Sequence, residues 1–368
     1  MASRASQQGL FFRLHIDITL LLSLIALLVL GQIILYSASG ENIAMMQRQG
    51  IRLGVALVVM VFIAQISPDT MRRWSPLLFL AGTIMLVAVL LVGTKVLGAQ
   101  RWLDLGLFRF QPSEMMKLAV PMMLAWFLAD GSIPPSKKRL IAALAILLVP
   151  VLLIAKQPDL GTSLLVTSAG LFVIFMAGVS WRLIAGFIIA GIAFTVPMWL
   201  FLMRDYQRQR VITMFDPDSD PLGTGYHIIQ SKIAIGSGGS FGKGWLNGTQ
   251  SHLEFLPERH TDFIFSVFAE EFGFSGILIL LAIYLIIIFR GIYITTQAHG
   301  TFARLLGASI VLTFLIYIFV NIGMVSGILP VVGVPLPLVS YGGTSVVTLM
   351  AGFGILMSIH THRKLLAH

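Results

Sequence analysis

Cysteine is absent from this chain, so disulfides and thiolate metal sites are excluded. A zero count fits either face of a membrane and assigns no compartment. Charge is also scarce: 11% of the 368 residues are Asp, Glu, Lys or Arg, against 57% hydrophobic and a mean hydropathy of +0.90. A soluble globular domain carries about a quarter charged residues, so that class is excluded as well. There is no heptad pattern and no clear internal repeat, and the prolines at 121, 150, 197, 330, 335 and 337 do not pair between two halves as broken helices of inverted-repeat transporters do.

What the chain does have is long apolar runs. A helix needs roughly 20 apolar residues to cross a bilayer. Ten stretches qualify, near 14–36, 46–66, 74–94, 112–130, 139–155, 160–179, 182–203, 262–290, 302–328 and 338–360. The expectation is an all-α polytopic integral membrane protein with ten transmembrane helices. Stacked spans share one core, so residues 1–368 are read as a single domain. The stretch 139–155 is short and contains Pro150, which suggests little tilt or a partly re-entrant course. The first run resembles an export signal, with Arg4 and Arg13 ahead of it and Ser37-Ala38-Ser39 behind, but it is too long for one and more spans follow. It is read as a retained helix.

Orientation follows from the positive charges in the connections. With both termini inside, the inner segments hold Arg4, Arg13, Arg72, Arg73, Lys137, Lys138, Arg139, Arg182, Arg290, Arg304, Arg363 and Lys364 but only Asp17, Asp69 and Asp130 among the acids. The other 13 basic residues are matched by 13 acids, so the whole net charge of +9 lies inside. That suits an anionic cytoplasmic leaflet, and a pI near 10.0 is not a nucleic-acid signal here. The outer side then receives 94–111 and a large extracytoplasmic loop, 204–261, between helices 7 and 8. A loop of that length is expected to be functional, folding back over an outward-facing cavity.

The loop's glycine tract, 236–248, invites a phosphate-loop reading, but it has neither the GxxxxGK[ST] spacing nor a preceding strand. His252 and His260 do not form a metal-binding pattern, so no metal site is expected. Gln111-Pro112-Ser113-Glu114 opens the fourth span, and Glu114 and Lys117 stand at i, i+3 inside apolar sequence. A buried ion pair is expected, in a structural or a substrate-binding role. Arg101-Trp102 precedes it, where Trp102 reads as an interfacial belt residue or a binding residue and Arg101 suits phosphate. Asp159 ends a tight turn after Lys156-Gln157-Pro158. Proline and glycine crowd 321–345, a kinked crossing tolerable only where protein or water satisfies the backbone.

The stretch 253–274, LEFLPERHTDFIFSVFAEEFGF, packs five acids, an arginine and one histidine beside the eighth span. Pro257 precludes an earlier helix, so a start near Thr261 or Asp262 is expected. Asp262 is then a helix cap or a reacting group, and Glu270 and Glu271 are candidate supports.

These motifs resemble the shape, elongation, division and sporulation (SEDS) family. The resemblance rests on Phe255-Leu-Pro-Glu-Arg-His-Thr-Asp-Phe-Ile-Phe265, on Gln111-Pro112-Ser113-Glu114 with Lys117, and on Arg101-Trp102. Asn321, Gly327, Pro330, Gly333 and Ser340-Tyr341-Gly342-Gly343-Thr344-Ser345 complete it. Arg259 and the short N-terminal tail are similar to the elongation branch rather than the division branch. The resemblance implies a peptidoglycan glycosyltransferase that joins lipid II units at the outer membrane face and releases undecaprenyl pyrophosphate. It implies work beside a class B penicillin-binding protein and other elongation-complex proteins, and it places the catalytic carboxylate at Asp262. Glycosyl transfer from a pyrophosphate-linked sugar needs a base and positive charge near the leaving group. Lys117, Arg101, Arg48 and Arg210 are the basic candidates, with Glu114 orienting Lys117. No cofactor is implied, and a divalent ion beside the pyrophosphate is left open. Two rivals share the features: a lipid II transporter and a structural scaffold for the transpeptidase.

Overall fold

The computed structural model describes residues 14–96, 99–104, 106, 109–203, 205–220, 223–252 and 258–362. Arg4, Arg13, Arg204, Phe255, Pro257, Arg363 and Lys364 lie outside the described residues.

Helix boundaries follow capping chemistry. Asp17 caps α1 (Ile18–Ala38), Asn42 caps α2 (Ile43–Ala64) and Ser67 caps α3 (Pro68–Val92), each side chain accepting a backbone N–H of the first turn. A three-stranded antiparallel sheet follows, β1 (Thr94–Val96), β2 (Ala99–Asp104) and β3 (Arg109–Phe110). It is a small addition to an otherwise all-α protein. Pro112 then occupies the first turn of α4 (Pro112–Ala129), where its missing N–H costs nothing. Ser136 caps α5 (Lys137–Lys156) and Asp159 caps α6 (Leu160–Met176). Helix α7 (Trp181–Pro197) runs on through a π-helical turn, Met198–Leu202.

The 204–261 connection is not an irregular loop. It contains α8 (Asp205–Phe215), a 3-10 turn at Pro217–Ser219, α9 (Thr224–Ser237) and the short α10 (Thr249–His252). The last three spans are α11 (Ile264–Thr296), α12 (Thr301–Val325) and α13 (Thr344–Thr361). The ten spans expected from hydropathy are thus α1 to α7 and α11 to α13. Eight are long and apolar enough to cross a bilayer by themselves, while α6 is a shorter apolar helix and α4 carries Glu114 and Lys117.

One apolar core draws on α1 to α6 and α11 to α13. Helix α7 buries none of its window and stays outside that core. Two expectations are corrected here. With 20 residues, α5 is long enough to span, because Pro150 is accommodated within the helix. Helix α11 starts at Ile264, two residues later than Asp262, and is broken at Gly273 (φ 62°, ψ −163°).

The break in α11 is filled by the glycine tract. Lys243 and Gly244 N–H groups donate to the Glu270 and Glu271 carbonyls (both 3.0 Å), and Phe274 and Ser275 N–H groups donate to Gly239 and Ser240 carbonyls (2.9 and 3.0 Å). Backbone groups freed by the break are therefore satisfied by protein. Below them Glu270, fully buried, takes Lys243 Nζ at 2.7 Å and Thr249 Oγ1 at 3.0 Å, and Glu271 accepts from the Ser37 hydroxyl. Both acids hold neighbouring segments in place, and the tract bonds the backbone on either side of the break.

Candidate active site

Every candidate residue sits at the start of an even-numbered span or in a connection leading into one. Arg48 is in the first turns of α2, Glu114 and Lys117 in α4, Asp159 at the cap of α6, and Asp262 ahead of α11. Helices in a serial bundle alternate direction, so these positions share one membrane side. The candidates fall into two clusters.

The first lies around the α4 start. Lys117 Nζ is 2.6 Å from Glu114 Oε1, with both side chains buried, and it lies 5.3 Å from the centre of the Tyr317 ring. The expected pair is present. Ser113 Oγ, Glu114 Oε2 and Thr313 Oγ1 are buried nearby without a hydrogen-bond partner among the described residues. Native interiors leave few such atoms, so a cluster of them marks a polar site. Asp159 is fully engaged: it caps α6 through Thr162 N–H (3.2 Å), accepts from Gln111 Nε2 (3.1 Å) and faces Arg101 Nε at 3.8 Å. Arg101 also donates to the Pro158 carbonyl, so both residues brace the turn between α5 and α6.

A cleft of about 680 Å³ opens beside this cluster, lined by Trp102, Glu114, Phe110 and, from α2 and α13, Arg52, Thr344 and Val347. Trp102 thus faces a cleft, in keeping with the binding reading. Arg52 was not singled out from sequence, where a lone arginine in an apolar helix reads as an interfacial residue. Its guanidinium lies over the Tyr341 ring at 4.7 Å. Arg48, one turn earlier, is exposed and outside the lining of this cleft.

The second cluster is built on Asp262. The residue at the cap position of α11 is Phe263, with no side-chain capping bond, so the cap reading of Asp262 fails. Its carboxylate accepts no hydrogen bond among the described residues, and the backbone around it is held instead. Tyr341 N–H donates to the His260 carbonyl (2.9 Å), and Asn321 Nδ2 donates to the Asp262 carbonyl (2.9 Å). Burial raises the Asp262 carboxyl, the neighbouring Glu258 charge raises it further, and Arg210 opposes them, leaving it at about 6. Arg210 reaches this region from α8 and donates to the Val331 carbonyl at 3.0 Å.

The two clusters meet at the crossing between α12 and α13. A Cβ on Gly161, two residues past Asp159, would lie 2.8 Å from the Val332 carbonyl oxygen, and one on Gly333 would lie 3.4 Å from Asp262 Oδ2. The kinked crossing expected from its prolines therefore lines the site. Its loosened backbone is held by Tyr284 OH on the Pro337 carbonyl (2.8 Å) and by Ser340 Oγ on Leu336 N–H (2.8 Å).

Comparison with known proteins adds to this geometry. The family model described as cell cycle protein, FtsW/RodA/SpoVE, matches residues 12–365. The chain belongs to the FtsW/RodA/SpoVE family. A relative named peptidoglycan glycosyltransferase MrdB, from Escherichia coli strain K12, is 57% identical over 100% of this chain and 99% of its own, and it places the chain nearer RodA than FtsW. A solved chain from work on the structural coordination of polymerization and crosslinking by a peptidoglycan synthase complex superposes with TM-score 0.83 at 33% identity, covering 95% of this chain and 98% of that one. An aspartate-to-alanine mutant of the rod shape determining protein RodA from Thermus thermophilus gives TM-score 0.72 at 28% identity, covering 94% and 98%. Fold and family agree along nearly the whole of this FtsW/RodA/SpoVE chain.

Proposed function

We propose that this chain is a peptidoglycan glycosyltransferase that polymerises lipid II for cell-wall elongation, with Asp262 as general base. The observation that carries the base assignment is a half-buried carboxylate that caps no helix and whose backbone is held by Asn321 and Tyr341, with desolvation pushing the carboxyl up to about 6. A base works best with a pKa near the operating pH, and an ordinary aspartate would be too weak. The name and 57% identity of the Escherichia coli relative support the reaction class.

In the reaction, Asp262 takes the proton from the acceptor sugar's 4-hydroxyl as that oxygen bonds to the donor's anomeric carbon. The bond from that carbon to the pyrophosphate breaks on the opposite face, and undecaprenyl pyrophosphate departs. One displacement converts an α-linked donor to a β-linked product, so a single carboxylate suffices. The departing charge needs cations. Arg210, close enough to act on Asp262, and Arg48 on α2 are cation candidates beside Lys117 and Arg101, which are faced by Glu114 and Asp159. Lys117, Glu114, Trp102 and the unpartnered hydroxyls beside them form the polar wall against which the substrate is oriented.

The chain acts in the bacterial cytoplasmic membrane as a single domain, with both termini cytoplasmic and Asp262 on the periplasmic face. The charge asymmetry of the connections supports that orientation. A class B penicillin-binding protein is its partner, and other elongation-complex proteins accompany it; the solved synthase complex supports such pairing. The test is a polymerisation gel with purified chain, partner and labelled lipid II. Glycan strands establish the enzyme. Movement of labelled lipid II between leaflets without any strands would mean a transporter instead.

A further inference from the structure

Asn321 is fully buried near the end of α12 and is not among the residues that touch substrate in the reading above. Its Nδ2 donates to two carbonyls at once, Asp262 at 2.9 Å and Val334 at 2.7 Å. Its Oδ1 has no hydrogen-bond partner among the described residues. A flipped amide would set Oδ1 against both carbonyl oxygens, so the network fixes the orientation. Leaving a buried acceptor unpaired is unfavourable. The two donated bonds outweigh that cost, so the bridge is what the site selects.

The segment bridged to Asp262 has two further contacts with the site. At 331 its carbonyl accepts from Arg210, and at 333 the left-handed Gly333 (φ 72°) lies against Asp262 Oδ2, where a Cβ would be 3.4 Å away. Three points within four residues, at 331, 333 and 334, thus meet the cation, the carboxylate and the clamp.

We propose that Asn321 is the positioning residue for the reaction, holding the turn that carries Asp262 in register with the 331–334 strap and so keeping Asp262 and Arg210 in fixed relation. The proposal rests on Asp262 being the base. The side chain never reaches substrate, and it acts through the backbone of Asp262. Its predicted signature is kinetic. Without the bridge the turn opens toward water, the carboxylate ionises more easily, and the base is less well placed. The charged and titratable groups that face Asp262 are Glu258 on its own turn and Arg210 on α8, with His227 and Asp220 beyond Glu258. None of them is altered by substitution at 321.

The experiment uses the full chain purified with its partner, and reads lipid II polymerisation against pH for wild type, Asn321→Leu, Asn321→Asp and Asp262→Asn. Leucine keeps asparagine's branched skeleton, though it is bulkier, and donates nothing; a protonated aspartic acid donates one bond. Expected are a fall in kcat of about tenfold or more for Asn321→Leu with KM nearly unchanged and an acidic limb displaced to lower pH, and an intermediate loss of kcat for Asn321→Asp. Should Asn321→Leu not assemble, Gly333→Ala probes the strap from its other side with the same two readouts. Wild-type kcat and an unmoved limb overturn the proposal, as does a loss of amplitude without movement of the limb, which marks a purely structural role. Polymerisation by Asp262→Asn would overturn the base assignment instead, so the two failures are told apart.

Discussion

Gly242 and Gly273 meet backbone to backbone: a Cβ on Gly242 would lie 2.1 Å from the Glu271 carbonyl oxygen, and one on Gly273 would lie 2.2 Å from Gly242 N. Both residues also have positive φ, 78° and 62°. Only glycine fits either place, and the contact plugs the break in α11 just past Glu271.

Gly273→Ala is therefore expected to destabilise the protein by about 1–3 kcal/mol through overpacking and left-handed strain. Thermal unfolding of the purified chain measures it, and limited proteolysis should cut within 236–250 in the variant before the wild type. Equal unfolding temperatures would show that the plug does not hold the break.

The break explains where sequence reading stopped. The ten spans were legible because hydropathy over about 20 residues survives almost any packing. The Glu114–Lys117 pair was legible because i, i+3 spacing forces contact on a helix. Gly273 was not, since a glycine inside an apolar run reads as tolerated, and its partner lies thirty-one positions earlier. For Asp262 the sequence left cap and reacting group both open, because proline at 257 bounds a helix start only from one side, and the structure removes the cap. Arg52 needed the third dimension: its relation to Tyr341 joins the two ends of the chain.

Asp262→Asn should raise stability while removing activity. The carboxyl titrates at about 6 in the folded chain against an ordinary 3.8, chiefly from burial and then from Glu258. Its ionisation therefore costs the fold roughly 3 kcal/mol once the pH exceeds about 6, and nothing below about 4 where both states are protonated. Unfolding at pH 8 should show the variant more stable, and the gap should close as pH falls from 6 to 4. A gap independent of pH would contradict the shift.

Lys117→Met alone leaves the buried Glu114 charge uncompensated, with an expected cost of about 3–5 kcal/mol. Combined with Glu114→Gln the cost should shrink to near zero, because the charges leave together. Polymerisation should remain down by about a hundredfold in the double variant, since the polar wall has lost its orienting charges. A denaturation cycle with a parallel activity assay tests both halves.

Arg52→Leu removes the cation at the cleft rim and its stacking on Tyr341. The expected result is a KM for lipid II raised about tenfold with kcat nearly unchanged, the pattern of lost uniform binding. A fall in kcat at constant KM would place Arg52 in the chemistry.

The central claim is that the carboxylate of Asp262 removes the acceptor's proton. Its most direct test is single-turnover polymerisation of lipid II by the purified complex of wild type and of Asp262→Asn, matched for folding and for bound partner. The account predicts strands from the wild type and none from the variant at any pH from 5 to 9. Strands from the variant at a comparable rate would contradict it.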